Sequence, residues 1–215
     1  MKNRNKQISE FFDSRAETYD EVHPAHILGG LQSKIDTVKY VSKDAQTILD
    51  LGAGTGLELK YIFEKNSNAI VDCVDISNGM LEKLKEKYSD KKINIFCEDY
   101  FKFNFEKEKY DCVISIMSFH HFVPKDKLKL YRSILSTLKS NGIFVYSDYC
   151  AKDLTEEKFF QSELKKLIAA NSPEVWSYDV PTYPKTDIDL LKKAGFTKVE
   201  IKWQTEYNVC IVASK

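Results

Sequence analysis

Three glycines in five residues, Gly52, Gly54 and Gly56, follow the apolar pair Ile48-Leu49 and the acid Asp50. Glycine lacks a Cβ, so such a turn can take positive φ and bring backbone close to a ligand. The stretch Leu57 to Lys65 then reads as a helix whose N-terminus would face the same point. A second acid, Asp75, ends Val71-Asp72-Cys73-Val74, 19 residues after Gly56. In doubly wound folds ligands bind beyond the carboxyl ends of the strands, where an acid can accept from both hydroxyls of a ribose. Asp75 reads as that acid. The alternative is a cap for the next helix, and Ser77 suits that better. A third acid, Asp99, follows Phe96-Cys97-Glu98, and two histidines, His120 and His121, follow Tyr110–Ile116. Glycines and acids of this kind hold a nucleotide-type cofactor. An imidazole beside them can take a proton near neutral pH without tuning.

These residues need elements to position them. Strand-like runs at Thr47–Leu51, Ala69–Val74, Ile93–Cys97, Tyr110–Ile116 and Gly142–Tyr149 alternate with helical ones after the first, second and fourth. Crossover helices imply a parallel sheet covered on both faces. After the fourth strand, Leu128, Tyr131, Ile134, Leu135 and Leu138 share a helix face. A helix at 155–170 precedes the loop 171–184, which holds Pro173, Pro181 and Pro184 with Trp176, Tyr178 and Tyr183. A short helix Thr186–Ala194 follows. The runs Lys198–Gln204 and Tyr207–Ala213 are too close for a parallel crossover and must form an antiparallel hairpin. Ahead of the sheet, residues 2–13 and 25–41 read as helices, the second with a stripe at Leu28, Leu31, Ile35, Val38 and Val41. The expected fold is α/β. It is a doubly wound, seven-stranded, mostly parallel sheet with an antiparallel C-terminal hairpin strand, helices on both faces and an N-terminal helical cap. Residues 1–44 form the cap or lid and 45–215 the cofactor-binding domain.

The spacing G-x-G-x-G departs from the dinucleotide fingerprint G-x-G-x-x-G, whose third glycine comes one residue later. Asp50-Leu51-Gly52-Ala53-Gly54-Thr55-Gly56 resembles motif I of the class I S-adenosylmethionine-dependent methyltransferases, of the small-molecule type. Five parallel strands ending in a hairpin also resemble that family's sheet. The resemblance implies S-adenosyl-L-methionine as cofactor, with Gly52, Ala53, Gly54 and Gly56 forming its turn. It implies that Asp50 faces the methionine end, Asp75 the ribose and Ile76 the adenine. Asp99 and the Tyr100 backbone would contact the adenine edge. Met80 reads equally as core filler and as a cofactor contact, and Ser115, in the fourth strand, joins the cofactor set. Phe11-Phe12-Asp13-Ser14-Arg15-Ala16-Glu17-Thr18-Tyr19-Asp20 resembles the family's leader, in which a tyrosine at Tyr19 lies over the cofactor. The run ending Phe119-His120-His121-Phe122 resembles motif IV of small-molecule enzymes. Acceptor specificity after the fifth strand would fall to Trp176, Tyr178, Tyr183 and Asp148.

Methyl transfer from a sulfonium is an in-line displacement whose activation resides in the cofactor. The protein must align the acceptor, exclude water and, for an oxygen or nitrogen acceptor, accept a proton. His120 and His121 are the candidates for base or acceptor-orienting group, His120 preferred as nearer the strand end; His23 and His26 are weaker. A structural role for these histidines stays open.

Composition narrows the classes. Lys+Arg and Asp+Glu are both 32, giving zero formal net charge, which disfavours nucleic-acid partners. No apolar run is long enough to span a bilayer, and the charged N-terminus is unlike a secretory signal. Five scattered cysteines without a C-x-x-C pair make zinc and redox readings poor, so no metal is expected, and a reduced cytoplasmic location is. The expected partner is a small-molecule acceptor; oligomeric state stays open. Three alternatives remain: a tRNA or protein methyltransferase, an NAD(P)-dependent oxidoreductase, and a non-catalytic cofactor-binding module. The oxidoreductase is disfavoured by the glycine spacing and the lack of a Tyr-x-x-x-Lys pair.

Overall fold

A computed structural model describes residues 2–26, 30–176 and 178–215, without the side chains of 2–5, 23–26, 30, 173 and 176. Seven strands form one sheet in the order β3-β2-β1-β4-β5-β7-β6. The strands are β1 (Thr47–Leu51), β2 (Ile70–Asp75), β3 (Ile93–Cys97), β4 (Tyr110–Ile116), β5 (Leu138–Tyr149), β6 (Lys198–Gln204) and β7 (Asn208–Ser214). β7 runs antiparallel to both β5 and β6, and every other pairing is parallel. The order reverses between β1 and β4, the point where open α/β sheets bind ligands at the strands' carboxyl ends.

Side chains alternate across the central strands as the pleat requires. Ile48, Cys112, Ile114 and Val145 pack on one face with Leu59, Ile62, Leu81 and Leu84. Leu49, Leu51, Val113, Phe144 and Tyr146 pack on the other with Leu130, Tyr131, Ile134 and Leu191. The helices are α1 (Lys2–Asp13), α2 (Tyr19–His26), α3 (Gly30–Val38), α4 (Leu59–Lys65), α5 (Asn78–Lys87), α6 (Pro124–Thr137), α7 (Leu154–Ala169) and α8 (Pro184–Ala194). The helix expected over 25–41 falls on the end of α2 and on α3, which ends at Val38; its stripe residue Leu28 lies outside the described residues. Of the face expected on α6, Tyr131, Ile134 and Leu138 are buried and Leu128 and Leu135 half-buried; Leu130 and Lys127 join the buried side, Lys127 with a buried counter-charge from Asp187 of α8. α4 begins at Leu59, two residues later than expected, after a turn through Gly56.

The N-terminal helices dock through acids. Asp13 Oδ1 accepts from the Ser77 hydroxyl (2.6 Å) and the Gly79 amide (2.9 Å), serving the first turn of α5. Asp20 accepts from the Thr55 hydroxyl and from Lys87, both at 2.5 Å. Among the described residues no helix is long and apolar enough to cross a membrane.

Candidate active site

Beyond the carboxyl ends of β1, β2, β3 and β4 lies a cavity of about 700 Å³ including its mouth. The glycine turn forms one wall. Gly52 has φ +84°, and a Cβ there would fall 2.3 Å from Ser118 Oγ and 2.6 Å from Tyr100 Oη, so only glycine lets those side chains close on the turn. Their own bond, at 2.7 Å, links the β3 and β4 exits. Gly54 has φ +51°, and a Cβ there would meet no atom within 4 Å. A side chain at Gly54 would thus enter the cavity without touching protein. The turn is anchored by the Gly52 amide on the Val74 carbonyl (2.8 Å) and the Gly54 amide on Asp75 Oδ2 (2.9 Å).

Asp75 is buried at the end of β2, and its Oδ1 accepts from the Ser77 amide at 2.8 Å. Burial pushes its carboxyl up to about 6, against the opposing pull of these amide donors. Ser77 caps α5, accepting from the Met80 amide at 3.2 Å, so capping falls to Ser77 and not to Asp75. Ile76, Met80, Asp99 and Tyr100 line the same cavity, as does Tyr19 of α2. Lining residues beyond those expected are Ile8 and Phe12 of α1, Glu98 after β3, and Met117, Ser118 and Phe122 after β4. The rule that singled out the histidines, a strand's carboxyl end, also covers Met117 and Ser118. Met117 holds φ +57°, a left-handed conformation that non-glycine residues adopt at a cost.

Several expected site residues do not line this cavity. Asp50 points to the face that Ile48 shares, because side chains alternate along β1. There it is buried beside Glu58, which Lys34 holds at 2.8 Å. Burial first, then the neighbouring Glu58 carboxylate, drive the Asp50 carboxyl well above its ordinary value. Ser115 is buried and donates to the Leu51 carbonyl at 2.8 Å, tying β4 to β1. Ala53 and Gly56 shape the turn behind the lining.

Of the two histidines, His121 lines the cavity; His120 sits behind it, ring centroids 4.1 Å apart. His120 Nδ1 lies 2.5 Å from Asp148 Oδ1, while Asp148 Oδ2 accepts the amides of Phe119 (2.7 Å) and His120 (2.9 Å). Asp148, expected to face the acceptor, is instead fully buried beneath His120. Burial pulls the His120 pKa down, but Asp148 outweighs it and the net shift is upward. For His121, burial and then the adjacent His120 lower the pKa, leaving a neutral imidazole at pH 7. Asp179, not singled out in the sequence, stands 3.1 Å from His121 Nδ1 and 3.8 Å from His120 Nε2.

Asp179 also lines a second cavity of about 830 Å³ including its mouth, with Tyr149, Cys150, Glu156, Phe160, Pro181 and Tyr207. The expected aromatic wall is only partly there. Tyr178 packs 6.4 Å from Phe160 without lining either cavity. Tyr183 precedes α8, its amide donating to Glu157 at 2.8 Å. The backbone of Trp176 ends a short 3-10 turn, and its side chain, like those of His23 and His26, lies outside the described residues.

A family model described as a methyltransferase domain matches residues 48–142. Malonyl-[acyl-carrier protein] O-methyltransferase 1 of Ilyobacter polytropus is 30% identical over 171 residues, which is 79% of this chain and 59% of that protein. Carboxy-S-adenosyl-L-methionine synthase of Nautilia profundicola is 24% identical over 98% of this chain and 97% of its own length. Phosphoethanolamine N-methyltransferase 2 of Haemonchus contortus, solved with S-adenosyl-L-methionine, shares the fold at TM-score 0.74 and 17% identity, over 97% of this chain and 60% of that one. The chain spans little more than half the length of the first two malonyl-[acyl-carrier protein] O-methyltransferases it matches, 59% and 54%. With its G-x-G-x-G turn at the switch point of a 3-2-1-4-5-7-6 sheet, the chain carries, over residues 48–142, a methyltransferase domain of the class I S-adenosylmethionine-dependent type.

Proposed function

We propose that this chain moves a methyl group from S-adenosyl-L-methionine to an oxygen or nitrogen of a small-molecule acceptor. One observation carries the reading: a single cavity gathers Gly54, Asp75, Ile76, Met80, Asp99 and Tyr100 from three strand exits and brings His121 and Tyr19 to the same space. The residues fit the cofactor. Gly54 opens the turn to the ligand, and each Asp75 oxygen, holding one amide, keeps a lone pair for a ribose hydroxyl. Asp75, Glu98 and Asp99 are the charged residues of the lining, with no Lys or Arg among the described residues. That suits a donor bearing a sulfonium and an ammonium. Tyr19 and Phe12 make α1 and α2 a lid that keeps water out.

The bound cofactor supplies an activated methyl on sulfur. The acceptor's proton passes to His121 at Nε2, the ring nitrogen that Asp179 does not engage. Asp179 beside Nδ1 stabilises the resulting imidazolium, and the His120–Asp148 pair fixes the ring's neighbour. The acceptor class follows from charge. A carboxylate, such as the malonyl group in the relatives' name, would enter a space bordered by Asp75, Glu98, Asp99, Asp179 and Glu156, with no Lys or Arg from the described residues in either lining. A hydroxyl or amine meets no such repulsion. The same argument disfavours a carboxylated donor. The five cysteines form no disulfide, which suits a reducing cytoplasm.

S-adenosylhomocysteine and NAD distinguish this reading from a dehydrogenase. A ligand at ~100 times its Kd stabilises by about 2.7 kcal/mol, worth roughly 5–10 °C in a domain of this size. S-adenosylhomocysteine should give that shift and NAD none. Asp75→Ala should weaken the binding by about 1–3 kcal/mol, since two bonds to a charged acceptor are lost. The reverse ligand preference would sink the proposal.

A further inference from the structure

We infer that His120, His121 and Asp179 form a binding site for one divalent transition-metal ion, of the zinc type, in the wall between the two cavities. One ligating atom from each residue lies within 4.8 Å of the others. A tetrahedral ion with bonds of about 2.0–2.1 Å sets its ligand atoms roughly 3.4 Å apart. The observed separations, 3.1 Å from Asp179 Oδ1 to His121 Nδ1 and 3.8 Å to His120 Nε2, bracket that edge. Two imidazoles and one carboxylate make a nitrogen-rich set that suits zinc and its neighbours; magnesium and calcium prefer oxygen alone.

The support behind the ligands favours a built site over a chance cluster. Metal-binding imidazoles commonly donate their second ring nitrogen to a carboxylate, which fixes the ligating atom. Asp148 does this for His120, with Oδ1 at 2.5 Å from Nδ1, and is itself locked by the amides of Phe119, His120 and Tyr149. Nε2 of His120 is thereby the atom left for an ion. Opposite it, the Val180 amide donates to the His120 carbonyl at 2.7 Å, so backbone holds Asp179 across from the pair. The Asp179 side chain is 44% exposed toward the second cavity, which gives an ion its entry path and an open coordination position.

Ligation uses the lone pairs of His120 Nε2 and His121 Nδ1; the proton that His121 holds toward Asp179 moves to its Nε2, with any further displaced proton passing to solvent. The open position would take the acceptor oxygen, and the Lewis acid would lower the pKa of its hydroxyl so that the proton passes to solvent in the second cavity. In the metal-loaded protein His121 acts through the ion; its role as base belongs to the metal-free form. Ion binding does not depend on the methyl-transfer reading; the role in activating the acceptor rests on it.

The test is calorimetric titration of zinc chloride into chelator-treated full-length protein carrying Cys97→Ser, which removes the exposed thiol. One saturable equivalent is expected. Asp179→Asn and His121→Asn should each weaken binding by at least about tenfold, with melting temperatures of the metal-free variants unchanged. Cobalt serves as a second probe on the unsubstituted ligand set and should give the visible bands of imidazole ligation. No saturable zinc uptake, affinity in both variants unchanged from that of the unsubstituted ligand set, or a cobalt spectrum of the hydrated ion would each overturn the site. S-adenosylhomocysteine titrated separately reports on the donor cavity, so a failure there is distinguishable from failure of the metal site.

Discussion

Asp75 carries its charge at a cost. Its ordinary value of 3.8 is pushed up to about 6 by burial, although the Ser77 and Gly54 amides favour the charged form. The folded chain therefore binds more protons than the unfolded one between pH 4 and 6. Stability falls as pH rises through that window, by about 3 kcal/mol once the group is fully ionised. Asp13 is the charged neighbour that adds to the upward shift. Ribose hydroxyls donating to the charged carboxylate would reverse part of it, so cofactor binding favours deprotonation. Affinity for S-adenosylhomocysteine should tighten as pH rises through about 6, by up to tenfold per pH unit, and level off above. Calorimetry from pH 5 to 8 measures this. Asp75→Asn should flatten the curve, and an unchanged slope in that variant would remove Asp75 from the linkage. At this scale the sequence was legible where a residue's role follows from its place on a strand. Asp75 and Asp99 stand at strand ends and line the cavity. Asp50 illustrates the limit, since alternation along five residues turns it away from the cavity to Glu58 and Lys34. Asp148 and Asp179 owe their roles to pairing with His120 and His121 across 28 and about 60 residues, which no local pattern records.

The strands were the most readable elements because their β-branched and apolar runs are bounded by turns. β1, β3, β4 and β6 span the residues expected, and the closeness of β6 and β7 dictated their antiparallel pairing. β5 begins four residues early, at Leu138, because a register shift lets Leu138 pair with Tyr110 before the regular ladder starts at Ile143. The N-terminal helices were harder to read. Their faces show amphipathic spacing, but which side meets the cavity depends on docking. Ile8 and Phe12 line it in a docked arrangement in which Asp13 and Asp20 pin α1 and α2 to α5 and the glycine turn and Ser9 donates to the Ile76 carbonyl. That pinning is testable as a lid. Asp20→Ala removes the bonds to Thr55 and Lys87, the second a partly exposed pair worth about 1 kcal/mol or less. Global stability should change little. S-adenosylhomocysteine should dissociate several-fold faster, and limited proteolysis should cut near α2 sooner. Unchanged dissociation would mean that α2 does not hold the cavity shut.

Across the whole molecule, both faces of the sheet are closed mainly by apolar packing, with buried ionisable residues set into each: Asp50, Glu58 and Lys34 on the Ile48 face, Lys127 and Asp187 on the other. Lys127 is fully buried among Tyr146 of β5, Thr182 of the loop and Asp187 of α8, at 2.9, 2.6 and 3.3 Å. Tyr131 donates to the same Asp187 at 2.6 Å, and so does Thr182. The network joins α6, β5 and α8 to the segment that presents Asp179 to the histidines. A buried ion pair adds little over a well-packed apolar pair, but removing one partner leaves the other charged in a dry interior. Lys127→Met should cost about 3–5 kcal/mol. The urea midpoint should fall without a change in m-value, because the surface exposed on unfolding is the same. Adding Asp187→Leu should recover part of the loss; the hydroxyls of Tyr131, Tyr146 and Thr182 then lose their charged partners, so the recovery is incomplete. Because Thr182 lies three residues from Asp179, Lys127→Met should also loosen the loop beside His121. S-adenosylhomocysteine affinity, set by the turn and Asp75 on the far side of His121, should hold. Equal losses of stability in the single and double variants would show that the cost lies in packing volume and not in the stranded charge.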